Sequence, residues 1–198
     1  MNDIKKMWIG GILYTLLFAG SANEIGGNDS DSRCGGKELW AQKVLTDNEA
    51  NAIVISPIDV TTIAELRAID TESEKRSTTN PRLAFEEQVV RVSKVLIRKV
   101  ILENDNDYHL VIQDRLGNQM IAEVVDPECP DAQNSKFIDE YNDVRSTMDR
   151  YGSRFMNYEF TITGVLFKDR FHNQTGAAPN NMEIHPVLKL RASKRLDF

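Results

Sequence analysis

The chain has 198 residues, with 24 basic and 30 acidic side chains and a net charge of −6. That balance speaks against a nucleic-acid partner, because surfaces that track phosphates need surplus Lys and Arg to release counterions. Its two cysteines, Cys34 and Cys129, are too few and too far apart to form a metal motif by themselves.

Residues 1–22 have the order of a secretory signal: two lysines in MNDIKK, an apolar run from Met7 to Ala19, then Gly20-Ser21-Ala22 with small residues where cleavage is recognised. The apolar run, about 13 residues, falls short of the ~20 needed to cross the hydrocarbon core, so no membrane span is expected in the mature chain. The expected location is therefore secreted or periplasmic. Residues 23–33 are polar and Gly-rich and read as a flexible leader. One domain, residues 34–198, follows. Both cysteines lie in it, and in an oxidising compartment one disulfide between them is the simplest reading, with two free thiols as the alternative.

Glu38–Leu45 reads as a short extended arm and Thr46–Asn51 as a polar turn. Thr61–Asp70 has apolar residues at 63, 66 and 69 behind a Thr cap and Glu65, the pattern of a short amphipathic helix. Thr71–Pro81 is a loop by composition. The period then changes to two. Gln88–Glu103 forms a long β-branched strand, Tyr108–Asp114 a second and Gln119–Val125 a third, the last two joined by a turn at Arg115-Leu-Gly117. Ser135–Tyr151 repeats apolar residues at threes and fours and predicts a helix. Strands at Tyr158–Lys168 and Met182–Arg191 close the list, separated by a loop rich in Asn, Gln, Gly and Pro. Three strands, a helix and two strands, with a first strand long enough to pair at both ends, is the order of the five-stranded OB barrel. The fold expected is mainly β, an OB-like barrel with α additions and an N-terminal extension; an open α+β sandwich is the competitor.

The stretch from Gly164 to Leu188 holds His172-Asn-Gln-Thr-Gly176 and Glu183-Ile-His185-Pro-Val-Leu188. It resembles the C-terminal signature of a family of small exported bacterial proteins of unassigned activity, with a His-x-Gln-Thr-Gly loop and a Glu-x-His-Pro-Val-Leu strand. Cys34-Gly, Thr61–Ala68, Asp107–Ile112, Met120–Glu123 and Pro127–Cys129 extend the likeness over most of residues 34–190. Asn173 departs from it, standing where the loop has Gly. The resemblance implies export and a Cys34–Cys129 pair, and brings no reaction or ligand.

The turn at Arg115–Gly117 pairs position 109 with 123, so His109 and Glu123 share one sheet face with Val111, Gln113, Gln119 and Ile121. Tyr108, Leu110, Ile112, Met120, Ala122 and Val124 make up the core side. Glu183 and His185 share a face of the last strand. Imidazole and carboxylate suit zinc, iron or nickel, so His109, Glu123, Glu183 and His185 are candidate ligands of a divalent metal. The competing reading is a set of structural hydrogen bonds. A general acid–base site would use His172 on the loop with Glu183 or His185, but no serine or cysteine nucleophile stands in a recognisable setting. Gln174, Thr175 and Asn180 complete the candidate polar residues of that loop. Arg91, Lys94, Arg98 and Lys99 make the first strand basic, which is usual on edges and solvent faces. The expected function is noncatalytic binding of a carbohydrate, peptide or protein ligand outside the cytoplasm. The alternative is a metal-dependent hydrolase built on the His/Glu residues.

Overall fold

The computed structural model describes residues 34–36, 38–60, 62–71, 81–171 and 173–196. Residues 1–33, on which the signal and leader expectations fall, and His172 lie outside the described residues. Among the described residues no helix is long and apolar enough to cross a membrane.

In chain order the elements are α1 (Trp40–Lys43), β1 (Ile58–Val60), α2 (Ile63–Arg67), β2 (Val89–Leu102), β3 (Tyr108–Gln113), β4 (Gln119–Val124), α3 (Ile138–Tyr151), β5 (Tyr158–Lys168) and β6 (Met182–Arg195). Strands β2, β3, β4, β6 and β5 are neighbours in that order, and β5 returns to β2, so five strands close into a barrel. The length of β2 makes closure possible. Its first half, Val89–Leu96, pairs with β5 and its second half, Leu96–Leu102, with β3. Register shifts between Val92 and Val95 and between Ile97 and Lys99 bend it between the two partners, with Lys94 at φ 60 in the first. The helix lies between the third and fourth barrel strands, as expected.

The barrel interior is filled by the side predicted to be core: Leu110, Ile112, Met120, Ala122 and Val124 pack with Phe160, Ile162, Leu166 and Ile184. Strands β5 and β6 approach so closely that a Cβ on Gly164 would stand 2.5 Å from the Pro186 carbonyl oxygen and closer still to Ile184 Cγ2. Gly164→Ala is therefore expected to cost about 2–3 kcal/mol by overpacking, a fall in Tm on the order of 5–10 °C. An unchanged melting curve would show that the two strands can separate freely there.

The N-terminal segment differs from the expected extended arm. Residues 40–43 form one helical turn, flanked by Leu39 and Leu45 at positive φ. The physical reason lies in Val44 and Leu45, which are consecutive and both buried; a strand would turn one of them to solvent. With Trp40 they build a second apolar cluster on the outside of the barrel, against Val165, Leu188, Phe137 and Tyr141. Buried Arg82 fixes this turn, pairing through two nitrogens with Asp47 at 2.7 Å and donating to the Gln42 carbonyl. The Cys34–Cys129 disulfide, with a Cα separation of 5.4 Å, ties the extension to the segment that follows β4. A short strand not anticipated from the sequence, β1, runs parallel to β2, and its Asp59 accepts from Arg91 at 2.8 Å.

Candidate functional site

The register of β3 and β4 sets His109 opposite Glu123, as the turn length predicts. His109 also stands opposite Ile101 on β2, and the period of two carries the same face on to Glu103, just past the strand end. A tight turn closes there, with the Glu103 amide donating to the Asp107 carbonyl at 2.9 Å. The result is a three-residue focus. His109 Nδ1 lies 2.9 Å from Glu123 Oε1 and 3.3 Å from Glu103 Oε1. The other ring nitrogen, Nε2, is 2.9 Å from the Thr175 carbonyl oxygen.

Strand β6 runs parallel to β4, with Glu183 beside Ile121. His185 is two residues further along the same face, toward Glu123. The structure thereby brings together the four residues that the sequence could not join. His185 Nδ1 is 3.1 Å from Glu183 Oε1, and its Nε2 is 3.8 Å from Asp107 Oδ2. Lys43 reaches in from the end of α1, with Nζ 3.3 Å from Asp169 Oδ2 and 5.5 Å from the centre of the Phe167 ring. His109, Glu123, Asp107, Asp169, Glu183 and His185 are all buried, while the side chain of Glu103 keeps 32% of its exposure.

So much charge out of water cannot stay in its ordinary state. Burial, reinforced by Asp169, pushes the Glu183 carboxyl up to about 8. Burial also raises Glu123 to about 7, against the pull of its contact with His109. Asp107 is raised well above the usual carboxylate range by burial and by Asp105. His185 is lowered to about 4, first by burial and then by Lys43. On His109, burial works against the charge, but Glu103 and Glu123 outweigh it and raise the imidazole to about 10. Burial likewise opposes the Lys43 ammonium, and the carboxylates of Glu183, Asp169 and Glu123 hold it protonated all the same. Glu103, beside His109, is lowered.

The loop 169–181 covers this face. Val111 and Ile121, on the side predicted to lie away from the core, are buried beneath it, and Gly176 comes so close that a Cβ there would meet Val111 Cγ1 at 2.7 Å. Thr175 serves the cluster through its backbone while its side chain is exposed. Gln174 is half-buried at the edge of a space of about 10 Å³ over Ile121 and Glu183. Asn180 stands apart: its amide donates to the carbonyls of Leu66 and Ile69, and its oxygen accepts from the Met182 amide, pinning α2 to the start of β6. Asn173 takes φ 57, a left-handed conformation that Gly adopts freely and Asn tolerates. Sequence reasoning missed Glu103, Asp107, Lys43 and Asp169. For Glu103 there was a signal, the unbroken period of two from Ile101; for Lys43 and Asp169, which arrive from distant segments, there was none.

A second feature lies on the far side of β6. A groove of about 670 Å³ runs between that strand and α3, lined by Leu188, Lys189, Leu190, Arg191 and Ala192 on the strand. Glu140, Asp143, Val144, Thr147, Arg150 and Tyr151, spaced by threes and fours, line it from one face of the helix. Comparison with protein-family models, with curated proteins and with solved structures gives no match.

Proposed function

We propose that this chain is an exported, noncatalytic interaction module on an OB-type barrel, secreted or periplasmic, which binds an extended segment of a partner protein along the edge of β6. The signal-like residues 1–22, the Cys34–Cys129 bridge and the resemblance to small exported proteins support the compartment.

The observation behind the binding mode is the run of five consecutive strand residues in one groove. Neighbouring side chains of a strand point to opposite faces, so consecutive residues share a groove only along the strand's edge, where backbone N–H and C=O groups are presented. One edge of β6 pairs with β5 along its length; the other pairs with β4 only at Glu183 and Ile184. The rest of that edge has no strand partner among the described residues. Such an edge accepts an added strand, and main-chain hydrogen bonds supply the affinity. At ~3.3 Å per residue the groove takes about five residues of extended chain. Lys189 and Arg191 are exposed on the outer face beside it, so Asp or Glu at alternate positions of the partner would meet them across the strands. The face of β3 and β4, where OB barrels commonly bind oligosaccharides, is occupied by the chain's own loop 169–181, which favours the edge over that face.

Hydrolysis is the second reading. One observation favours it: Glu103 also lines an open cleft of about 550 Å³ with Gly35, Gly36 and Asp105. Against it, His109 and Glu123 are walled off from that cleft by burial, leaving no room for a scissile bond beside them.

Linear eight-residue peptides selected by display on the disulfide-bonded protein test the edge reading. Thr147→Trp, which fills the groove, is expected to weaken the selected peptides at least tenfold. N-methylation at alternate residues is expected to do the same, since it removes the backbone donors. Peptides indifferent to both changes would sink the proposal.

A further inference from the structure

We propose that Glu103, His109 and Glu123 form a site for one divalent cation, zinc or manganese, at the buried end of the β2–β3 turn. This goes beyond the interaction module and does not depend on it.

The argument starts from the imidazole of His109. A carbonyl oxygen only accepts, so Thr175 requires Nε2 of His109 to carry a proton. In the neutral ring the lone pair is then on Nδ1, and Nδ1 is aimed at two carboxylate oxygens, 2.9 and 3.3 Å away. Carboxylates on both sides of Nδ1 call for a cation there: in the metal-free protein it is the second proton of the imidazolium, and a divalent ion would take that proton's place. A histidine whose second nitrogen donates to a backbone carbonyl is also the usual form of a metal-bound imidazole, because that bond fixes the tautomer and the ring's direction.

The dimensions fit an ion. The three ligand atoms lie within 4.8 Å of one another. Ligands held ~2.0–2.1 Å from a tetrahedral ion stand roughly 3.3 Å apart, against 3.3 Å from His109 Nδ1 to Glu103 and 2.9 Å to Glu123, which must open slightly to admit the ion. Independent of the cluster's acidity, a buried carboxylate oxygen here, Oε2 of Glu123, lacks a hydrogen-bond partner. One nitrogen and two carboxylates, with no thiolate, make a donor set for zinc or manganese rather than for a soft ion. Glu103 gives the ion a route in, since its side chain is partly exposed and borders the cleft at Gly35 and Gly36. The same partial exposure makes Glu103 the ligand that can be changed without disturbing packing.

The test uses the purified protein with its disulfide intact, stripped with EDTA and dialysed. Titration calorimetry with ZnCl₂ and MnCl₂ is expected to give one equivalent bound for at least one of the two metals. Glu103→Gln is expected to weaken binding at least tenfold with an unchanged circular dichroism spectrum, while Asp139→Asn, exposed on α3 outside the groove, leaves it unaltered. Nitrogen-15 spectra of the loaded protein should show His109 protonated on Nε2 alone. Absence of binding for both metals at millimolar concentration, an affinity indifferent to Glu103→Gln, or a His109 imidazolium that persists after loading would each overturn the proposal.

Discussion

Replacing both Cys34 and Cys129 by alanine is expected to lower stability by about 4–5 kcal/mol, the chain-entropy value for a bridge that closes a loop of this size. The two residues are 95 positions apart, so the reduced, unfolded chain recovers a large conformational freedom. For a domain of this length the loss corresponds to a fall in Tm on the order of 10–20 °C. The bridge also fixes the N-terminal extension. Cys129 is buried within the outer apolar cluster of Trp40, Val44 and Leu45, and that cluster holds α1 in place. Release of the extension would also withdraw Lys43 from its contact with Asp169. Melting curves of the oxidised protein, the dithiothreitol-reduced protein and the double variant check this. The last two should coincide, well below the first. A double variant that melts within ~2 °C of the oxidised protein would show that the bridge does not restrain the unfolded chain.

The barrel strands were legible because each obeys a period of two over six residues or more, and because β2 is too long for a single partner. The pairing of His109 with Glu123 was legible for a related reason: a hairpin fixes its register through the length of its turn. The meeting of that pair with Glu183 and His185 was not. It depends on the parallel contact of β4 with β6, strands with a helix and another strand between them in the chain, and no local pattern encodes which edges close a barrel. The three residues of β1 are too few to display alternation, and two of them are exposed. The arm at residues 38–45 reads as extended because four helical residues leave no periodic trace; the adjacent Val44 and Leu45 are the available clue.

Loop 169–181 teaches a similar lesson. Its composition predicts a turn satisfied by its own side chains, and Asn180 behaves in that way. Val111 and Ile121, however, are apolar residues on a face otherwise lined by His109, Glu123, Gln113 and Gln119. Two such residues side by side on the face opposite the core signal a cover. In the folded chain the cover is this loop, and it converts an outward sheet face into a buried polar site.

In EDTA, the protein is expected to lose stability as the pH rises from 6 to 10. The sign follows from groups whose folded pKa lies above the unfolded one: Glu123, Glu183 and His109, with Asp107, also raised, acting in the same sense. Glu123, at about 7, and Glu183, at about 8, retain protons that free glutamates release near 4.5. His109, at about 10, retains one that an unfolded histidine releases near 6.5. For each, the folded state binds more protons between the unfolded and the folded pKa, so the stabilisation present below the unfolded pKa is lost as pH rises to the folded value. His185 acts in the opposite sense, since its folded pKa of about 4 lies below 6.5. Its contribution is complete above pH 6.5 and is lost only in acid, so it does not mask the alkaline fall. With the coupling among these neighbours allowed for, the fall between pH 6 and 10 should reach about 3 kcal/mol, or on the order of 10 °C in Tm. Glu183→Gln separates this cluster from general alkaline effects, because a neutral amide of the same shape removes the group that titrates near 8. The variant's curve should be flatter between pH 7 and 9 than that of the parent. Parallel curves over that range would mean that Glu183 is ionised in the folded protein and that Lys43 alone compensates it.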